Sequence, residues 1–132
     1  LIVQSKFGNH FIQTRLEDLA GGPMNNYDIL FCSATLEHIP MESIRLVLKN
    51  FSELLAPGGV AYIEVDTKPD SQRDLPEESH VNIRPWDQWL LNIYSPGLPW
   101  TRDESVEASL KGQIGFPGFP LPDWSFTVAR MP

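Results

Sequence analysis

The spacing of hydrophobic positions changes along the chain, and each spacing predicts an element. Tyr27–Ser33 holds consecutive apolar residues, which is typical of a strand buried on both faces of a parallel sheet. In residues 41–55 the apolar positions recur every three or four residues, which predicts an amphipathic helix. Pro40 favours its start, and Pro57-Gly58-Gly59 favours its end. A second buried strand, Val60–Val65, follows directly.

This order of strand, helix and strand with short connections predicts a parallel β-α-β crossover, and therefore an α/β fold. Weaker patterns flank it. They predict a short strand at Phe11–Thr14, a long polar loop over 66–79, helices at Trp86–Tyr94 and at about Glu104–Lys111, and a half-buried edge or antiparallel strand from Trp124.

Composition limits the class of protein. With 132 residues, 42% of them hydrophobic and 20% charged, the chain has material for one globular domain at most. The formal net charge of −7 opposes contact with a phosphate backbone, so we expect no nucleic-acid partner. The longest apolar run, around Ile29–Ala34, is too short for membrane insertion. The single cysteine, Cys32, suits a reducing cytoplasm, where we place the protein.

Three short motifs carry a family resemblance: Tyr27-Asp28 at the entry to a buried strand, Leu36-Glu37-His38 in the turn after it, and Leu55-Ala56-Pro57-Gly58-Gly59 before the next strand. Together the chain resembles class I, Rossmann-like, S-adenosylmethionine-dependent methyltransferases over roughly residues 10–93 and 124–130. The resemblance implies a mostly parallel sheet with a C-terminal antiparallel strand, and S-adenosylmethionine as cofactor.

The family's glycine-rich first strand and its acid-ended second strand have no counterpart in the chain. We therefore expect 1–132 to be one partial domain, incomplete at its N-terminus, with cofactor-side elements in 1–66 and substrate-side elements in 67–132. An upstream segment of about 40 to 60 residues, with an acidic-x-Gly-x-Gly turn, would supply the two missing strand-helix units. The expected macromolecular partner is that N-terminal half or a second copy of the chain.

Ligands of open α/β sheets bind beyond the carboxyl ends of the strands. By resemblance, Ser33 and Ala34 would line the methionine end of the cofactor. Leu16 and Glu17 would line its adenine end, together with Arg15, which stands where many relatives carry an acid. That substitution favours Leu16 and backbone groups as the adenine contacts. Glu17 could equally belong to a solvated turn.

Two histidines are the candidate catalytic residues. His80 follows the polar loop, and its imidazole could take a proton from a hydroxyl acceptor near neutral pH. His38 could orient the cofactor or a substrate oxygen, or Glu37-His38 could be a loop pair that fixes the helix start. The spacing of histidines and Cys32 matches no zinc motif, so we expect no structural metal.

Two further groups leave alternatives open. Glu64 and Asp66 lie two apart on a strand and so share a face, where they could act as a base, bind an amine or cap the loop. Five aromatic residues could form a lid over an apolar acceptor or belong to the core: Trp86, Trp89, Trp100, Phe116 and Phe119.

The resulting hypothesis is methyl transfer from S-adenosylmethionine to a small-molecule acceptor, performed by a longer chain of which the isolated piece can be inactive. The protein would mainly position the two reactants for in-line displacement and exclude water. The alternative is a degenerate, non-catalytic methyltransferase fragment that serves as an interaction module. A nucleotide-sugar or nicotinamide enzyme is disfavoured, because it too would need a glycine-rich turn.

Overall fold

The computed structural model describes residues 14–19, 25–69, 80–113 and 124–132. Its elements are a 3-10 turn Leu16–Asp18, β1 Tyr27–Ser33, a 3-10 turn Leu36–His38, α1 Met41–Leu54, β2 Leu55–Asp66, α2 Trp86–Ile93, β3 Thr101–Arg102, α3 Glu104–Gln113 and β4 Trp124–Arg130. The predicted strand at Phe11–Thr14 lies outside the described residues except for Thr14, which has no regular structure. None of the described helices has the length and apolar character needed to cross a bilayer.

The four strands form one open sheet in the order β1-β2-β4-β3. β1 pairs with β2 in parallel, with Ser33 opposite Glu64, whereas β4 runs antiparallel to both β2 and β3. The parallel β-α-β unit and the mixed α/β fold are thus confirmed. The terminal strand is antiparallel as predicted, but it lies inside the sheet rather than at its edge because β3 pairs with its outer side.

The core lies between α1 and one face of the sheet. The helix buries the side predicted from its spacing, Ile44, Val47, Leu48 and Phe51, against the inward residues Cys32, Ala61, Ile63 and Val65. Complete burial of an aliphatic side chain of this size contributes about 1.5 to 3 kcal/mol. This packing holds α1 in place over the parallel pair.

The indoles of the second half of the chain belong to the same core. Trp89 is 0% exposed and Trp100 4%, and the Trp100 Nε1 donates to the Ile93 carbonyl at 2.7 Å. The alternative of an aromatic lid is therefore wrong for these two residues, while Trp86 is half-buried against the core. Phe116 and Phe119 lie outside the described residues.

The face of β1 that points away from α1 is exposed, whereas the sequence predicted that it would be buried. Ile29 is 70% exposed and Phe31 67%, although the Phe31 ring stacks on Tyr62 with centroids 4.9 Å apart. The prediction of burial on both faces is wrong within the described residues, because β1 is an edge strand there and only its alternate residues, such as Cys32, face the core. A run of apolar residues shows that both faces are hydrophobic, not that both are covered.

The first residues of β2, where the sequence predicted a Pro-Gly-Gly turn and where the pairing with β1 is irregular, require their glycines. Gly58 has a left-handed backbone, with φ of +73°. At Gly59 a Cβ atom would lie 2.9 Å from the Ala56 carbonyl oxygen and 3.0 Å from that of Tyr27, both of which are backbone atoms. The helix ends at Leu54, as the motif predicted, and the chain enters β2 close beside the start of β1.

A buried carboxylate attaches α3 to the sheet. Glu107 is 3% exposed and accepts hydrogen bonds from the Arg102 guanidinium at 2.8 to 3.1 Å, from the Val128 N–H at 3.1 Å and from the Thr127 hydroxyl. Desolvation alone would raise the Glu107 pKa, but the hydrogen bonds from Arg102, Thr127 and Val128 outweigh it and leave the pKa below its usual value. The charged form is therefore the stabilising one.

We expect Glu107→Gln to lower the free energy of unfolding by roughly 1 to 3 kcal/mol, because it weakens hydrogen bonds to a buried charge. Glu104→Gln is the matched control, since Glu104 is 78% exposed and 3.9 Å from Arg102, and it should change that free energy by less than about 0.5 kcal/mol. With its folded pKa depressed, Glu107 stabilises the fold above its unfolded pKa, and this contribution disappears as the pH falls through the folded value. Denaturant unfolding at neutral and acid pH measures both effects; equal losses in the two variants would contradict the assignment.

Candidate functional site

The carboxyl end of the parallel pair is closed by a sharp turn. Ala34 has a left-handed backbone, with φ of +51°, which is uncommon for a residue with a side chain. Its N–H donates to the Glu64 carbonyl at 3.2 Å, and the Thr35 hydroxyl donates to the Ser33 carbonyl at 2.9 Å. Strained backbone of this kind is concentrated at functional sites. Ser33 and Ala34 are both half-buried, and both have small side chains.

Glu64 places a buried carboxylate at the same end. Its side chain is 0% exposed, and Oε2 accepts a hydrogen bond from the Tyr62 hydroxyl at 2.5 Å, while Oε1 has no hydrogen-bond partner among the described residues. Desolvation raises the Glu64 pKa, and the Tyr62 hydrogen bond opposes that rise. Asp66, two residues on, caps the loop by accepting from the Lys68 N–H at 3.0 Å. The orphaned oxygen of Glu64 suits a donor such as an amine.

The predicted adenine-side residues share one turn that is fastened to α1. The Asn50 amide donates to the Leu16 carbonyl at 2.8 Å and to the Glu17 carbonyl at 3.2 Å. The Arg15 guanidinium lies 3.3 Å from Glu17 Oε1, so this exposed arginine and the carboxylate form an ion pair. Leu16 is half-buried. The structure keeps Arg15, Leu16 and Glu17 together, and their contact with adenine stays a prediction.

The two predicted catalytic histidines meet in space. The rings of His38 and His80 have centroids 4.7 Å apart at an angle of 47°. The Glu37 carboxylate joins them: one ligand atom from each of the three residues lies within 4.8 Å of the others. From the sequence each histidine was a separate candidate, and Glu37 was only half of a loop pair. We call Glu37, His38 and His80 the Glu-His-His cluster.

Backbone hydrogen bonds fix the two segments that build this cluster. The N–H groups of Val81 and Asn82 both donate to the Glu37 carbonyl, at 3.1 and 3.0 Å, and the Asn82 side-chain amide donates to the Ile39 carbonyl at 3.2 Å. His80 is thereby held beside the turn that carries His38. Asn82 is buried and was missed by sequence reasoning, because nothing in its neighbourhood distinguishes it from an ordinary loop asparagine.

The Glu37 carboxylate is fully buried, and neither of its oxygens has a hydrogen-bond partner among the described residues. Desolvation raises its pKa. The backbone N–H groups of Glu37 and Asp66 and the neighbouring His38 oppose that rise, and the charge of Asp66 adds to it. The charge of Glu37 also acts on Cys32. The Leu36–His38 turn follows β1 directly and contacts β2, so the cluster lies beside the parallel pair.

A separate groove runs along the outer side of α1. Its lining is Glu42, Arg45, Leu46, Lys49, Gly97 and Leu98, and it includes none of the predicted site residues. The Arg45 guanidinium donates to the Pro96 carbonyl at 3.3 Å across it. We attribute the groove to the packing of the 96–98 turn on the helix.

Comparison with protein families identifies the class. Residues 2–109 match a family model described as a methyltransferase domain, so the chain belongs to that family. No protein of curated function matches the sequence.

Solved structures share the fold. The [4+2]-cyclase SpnF is 16% identical with a TM-score of 0.59, and the match covers 99% of this chain and 60% of that one. A SAM-dependent methyltransferase from Archaeoglobus fulgidus is 13% identical with a TM-score of 0.59, covering 96% and 71%. Phosphoethanolamine N-methyltransferase 2 of Haemonchus contortus, in complex with phosphomonomethylethanolamine and S-adenosylhomocysteine, is 15% identical with a TM-score of 0.52, covering 83% and 35%.

The chain thus spans 60% of the SpnF chain and about a third of the nematode enzyme. The predicted family and the Rossmann-like fold class are confirmed. S-adenosylmethionine, the cofactor that the resemblance implied, is the cofactor of the methyltransferases that share this fold.

Cys32 is a chemical probe of the strand end, because it adjoins Ser33 but packs in the core. It is 5% exposed. Burial raises its thiol pKa to about 12, with a hydrogen bond to Thr35 opposing the rise and the charge of Glu37 adding to it. A thiol with this pKa is almost wholly protonated at neutral pH.

We expect native Cys32 to resist labelling by Ellman's reagent at pH 8, since its thiolate fraction is roughly a thousandfold below that of an ordinary cysteine. Denaturant should make labelling rapid. The double variant Cys32→Ser with Ser33→Cys moves the thiol to a half-buried position on the other face and should label faster in the native state. Fast labelling of the native wild-type chain would show that the strand end is open on its core side.

Proposed function

We propose that this chain is part of an S-adenosylmethionine-dependent methyltransferase that acts on a small-molecule acceptor. The observation that carries the proposal is the convergence, at the carboxyl ends of β1 and β2, of the strained Ser33-Ala34 turn, the orphaned Glu64 oxygen and the Glu-His-His cluster. Ligands of open α/β sheets bind at this position. The net charge of −7 and the single buried cysteine favour a small acceptor over nucleic acid and a cytoplasmic location.

The residues present fit one side of the cofactor. When bound, S-adenosylmethionine supplies a methyl group on a sulfonium that a nucleophile can displace in line. Ser33 and Ala34 leave space for the methionine portion, and Glu64 Oε1 offers an unused acceptor to a cationic amine. Leu16 offers an apolar contact to adenine, from a turn that Asn50 holds on α1. His38 follows this strand end directly and is the predicted link between cofactor and acceptor.

The histidines act on the acceptor side. The imidazole of His80 takes the proton from an attacking hydroxyl group, and His38 packs against it and orients it. The neighbouring Glu37 carboxylate favours the imidazolium that results. The remaining contribution of the protein is to hold the two reactants in line.

One observation favours a second candidate function, a non-catalytic interaction module. Ile29 and Phe31 expose apolar surface on β1, and a partner would bury it. That partner would be the N-terminal part of a longer chain or a second copy. A module of this kind would bind no cofactor, so cofactor affinity separates the two functions.

Titration calorimetry of the full-length protein with S-adenosylmethionine tests the cofactor site. We expect one site per chain, and at least roughly tenfold weaker binding, equal to about 1.4 kcal/mol, in Ser33→Leu because the larger side chain fills the space at the strand end. Ser105→Leu makes the same chemical change at an exposed position of α3 and should bind as the wild type does. No heat in the wild type would favour the interaction module, and equal affinity in Ser33→Leu would exclude Ser33 from the pocket.

A panel of small hydroxyl and amine acceptors, assayed by release of S-adenosylhomocysteine, tests the histidines. We expect His80→Ala to lower kcat by about 10²- to 10⁴-fold on a hydroxyl acceptor, with unchanged cofactor affinity, because a positioned general base contributes that much. His10→Ala, which removes a histidine outside the described residues, is the matched control. An unchanged kcat in His80→Ala would remove this residue from the mechanism.

A further inference from the structure

We propose that Glu37, His38 and His80 form a binding site for a divalent transition-metal ion of the zinc class. The three side chains come from two segments far apart in the sequence, and one ligand atom from each lies within 4.8 Å of the others. Ligand atoms around a tetrahedral zinc ion are about 3.4 Å apart, given metal-ligand distances of about 2.1 Å. Binding would therefore require the three side chains to move closer together.

The strongest support for a cation at this site is the buried carboxylate of Glu37. Glu37 is 0% exposed, and both of its oxygens lack a hydrogen-bond partner among the described residues. A buried carboxylate is normally paired, hydrogen-bonded or bound to a metal.

Hydrogen bonds from Val81 and Asn82 hold the turn that carries Glu37 and His38. The backbone N–H groups of Val81 and Asn82 donate to the Glu37 carbonyl, and the side-chain amide of Asn82 donates to the Ile39 carbonyl. The backbone of both ligand-bearing segments is therefore fixed before any ion arrives. An imidazole can bind a metal through one nitrogen while its other N–H keeps a second partner, as metal-ligating histidines usually do. Interactions that His38 and His80 make with their surroundings are thus compatible with the site.

The donor set selects the class of ion. Two imidazoles and one carboxylate suit zinc, iron(II), cobalt or nickel, whereas magnesium and calcium prefer oxygen ligands alone. Three protein ligands leave a fourth position for water or for a ligand oxygen or nitrogen, as in catalytic rather than structural zinc sites. The spacing rules used on the sequence could not predict this site, because they register ligands close together in the chain and the fold brings His80 to the Glu37-His38 turn.

A role for the ion in methyl transfer rests on the proposed function, whereas binding of the ion does not. With a metal bound, the two imidazoles are ligands rather than bases. A hydroxyl acceptor in the fourth position would then lose its proton to solvent water more readily, because the metal lowers the pKa of the hydroxyl. An acceptor with an oxygen donor is accordingly the class that this site would take.

Calorimetry with zinc alone, on the full-length protein freed of metal by a chelator and without S-adenosylmethionine, tests the site. We expect one zinc per chain. Each of Glu37→Gln, His38→Ala and His80→Ala should weaken binding by more than the roughly 10- to 100-fold that loss of an outer partner causes. Glu42→Gln, at an exposed position of α1, is the matched control and should leave the affinity unchanged. Cobalt(II) should give the strong visible absorption of a tetrahedral site in the wild type and lose it in His80→Ala.

Absence of zinc binding in the wild type, or affinity that all three ligand variants leave unchanged, would overturn the site. Circular dichroism of the metal-free variants checks their folding. Because His80 is half-exposed, His80→Ala can test the site even if Glu37→Gln unfolds. Magnesium binding stronger than zinc binding would also contradict the donor set. Because no assay here contains S-adenosylmethionine, zinc binding and cofactor binding succeed or fail independently.

Discussion

The parallel pairing of β1 with β2, enforced by α1 packed across both, is the constraint on which the rest of the structure depends. Parallel strands joined by a helix must bring their carboxyl ends to the same edge. In this sheet the pairing places Ser33 opposite Glu64. The turn that carries Glu37 and His38 begins just after Ser33, at the same edge. Without the apolar contacts of α1, the helix would no longer hold β1 and β2 in this pairing. The hydrophobic core and the candidate site are therefore two consequences of one packing arrangement.

Three buried glutamates show how differently the fold treats the same chemical group. Glu107 is surrounded by donors from Arg102, Thr127 and Val128, so its charge is offset inside the protein and its role is structural. Glu37 and Glu64 are as deeply buried, yet three of their four oxygens have no partner among the described residues. Burial without hydrogen bonding is unfavourable and needs an explanation. A cationic ligand at each would supply one, and both lie at the edge where ligands of such sheets bind.

Periodic hydrophobicity was enough to predict the strand-helix-strand unit, since the spacing of Ile44, Val47, Leu48 and Phe51 directly reports which side of α1 is buried. It could not predict that Ile29 and Phe31 are exposed. A continuous apolar run shows that a strand favours burial on both faces, but it does not show which elements pack against those faces. Residue types alone suggested His38 and His80 as candidates. Their meeting depends on the hydrogen bonds from Val81 and Asn82 to Glu37, which are main-chain contacts that any residue other than proline could make and that leave no sequence signal.

The relatives of this fold include a cyclase as well as methyltransferases, so the sheet by itself does not decide the chemistry. What distinguishes one member from another is the set of side chains at the carboxyl edge. In this chain that set combines small residues at Ser33 and Ala34 with buried acids and two adjoining imidazoles. Small residues leave space for a ligand, acids attract its positive charge, and imidazoles handle a proton or a metal at neutral pH. Space and negative charge suit a cationic sulfonium donor, and the imidazoles add what an oxygen nucleophile needs. The proposed methyl transfer therefore depends on the side chains at this edge rather than on the fold.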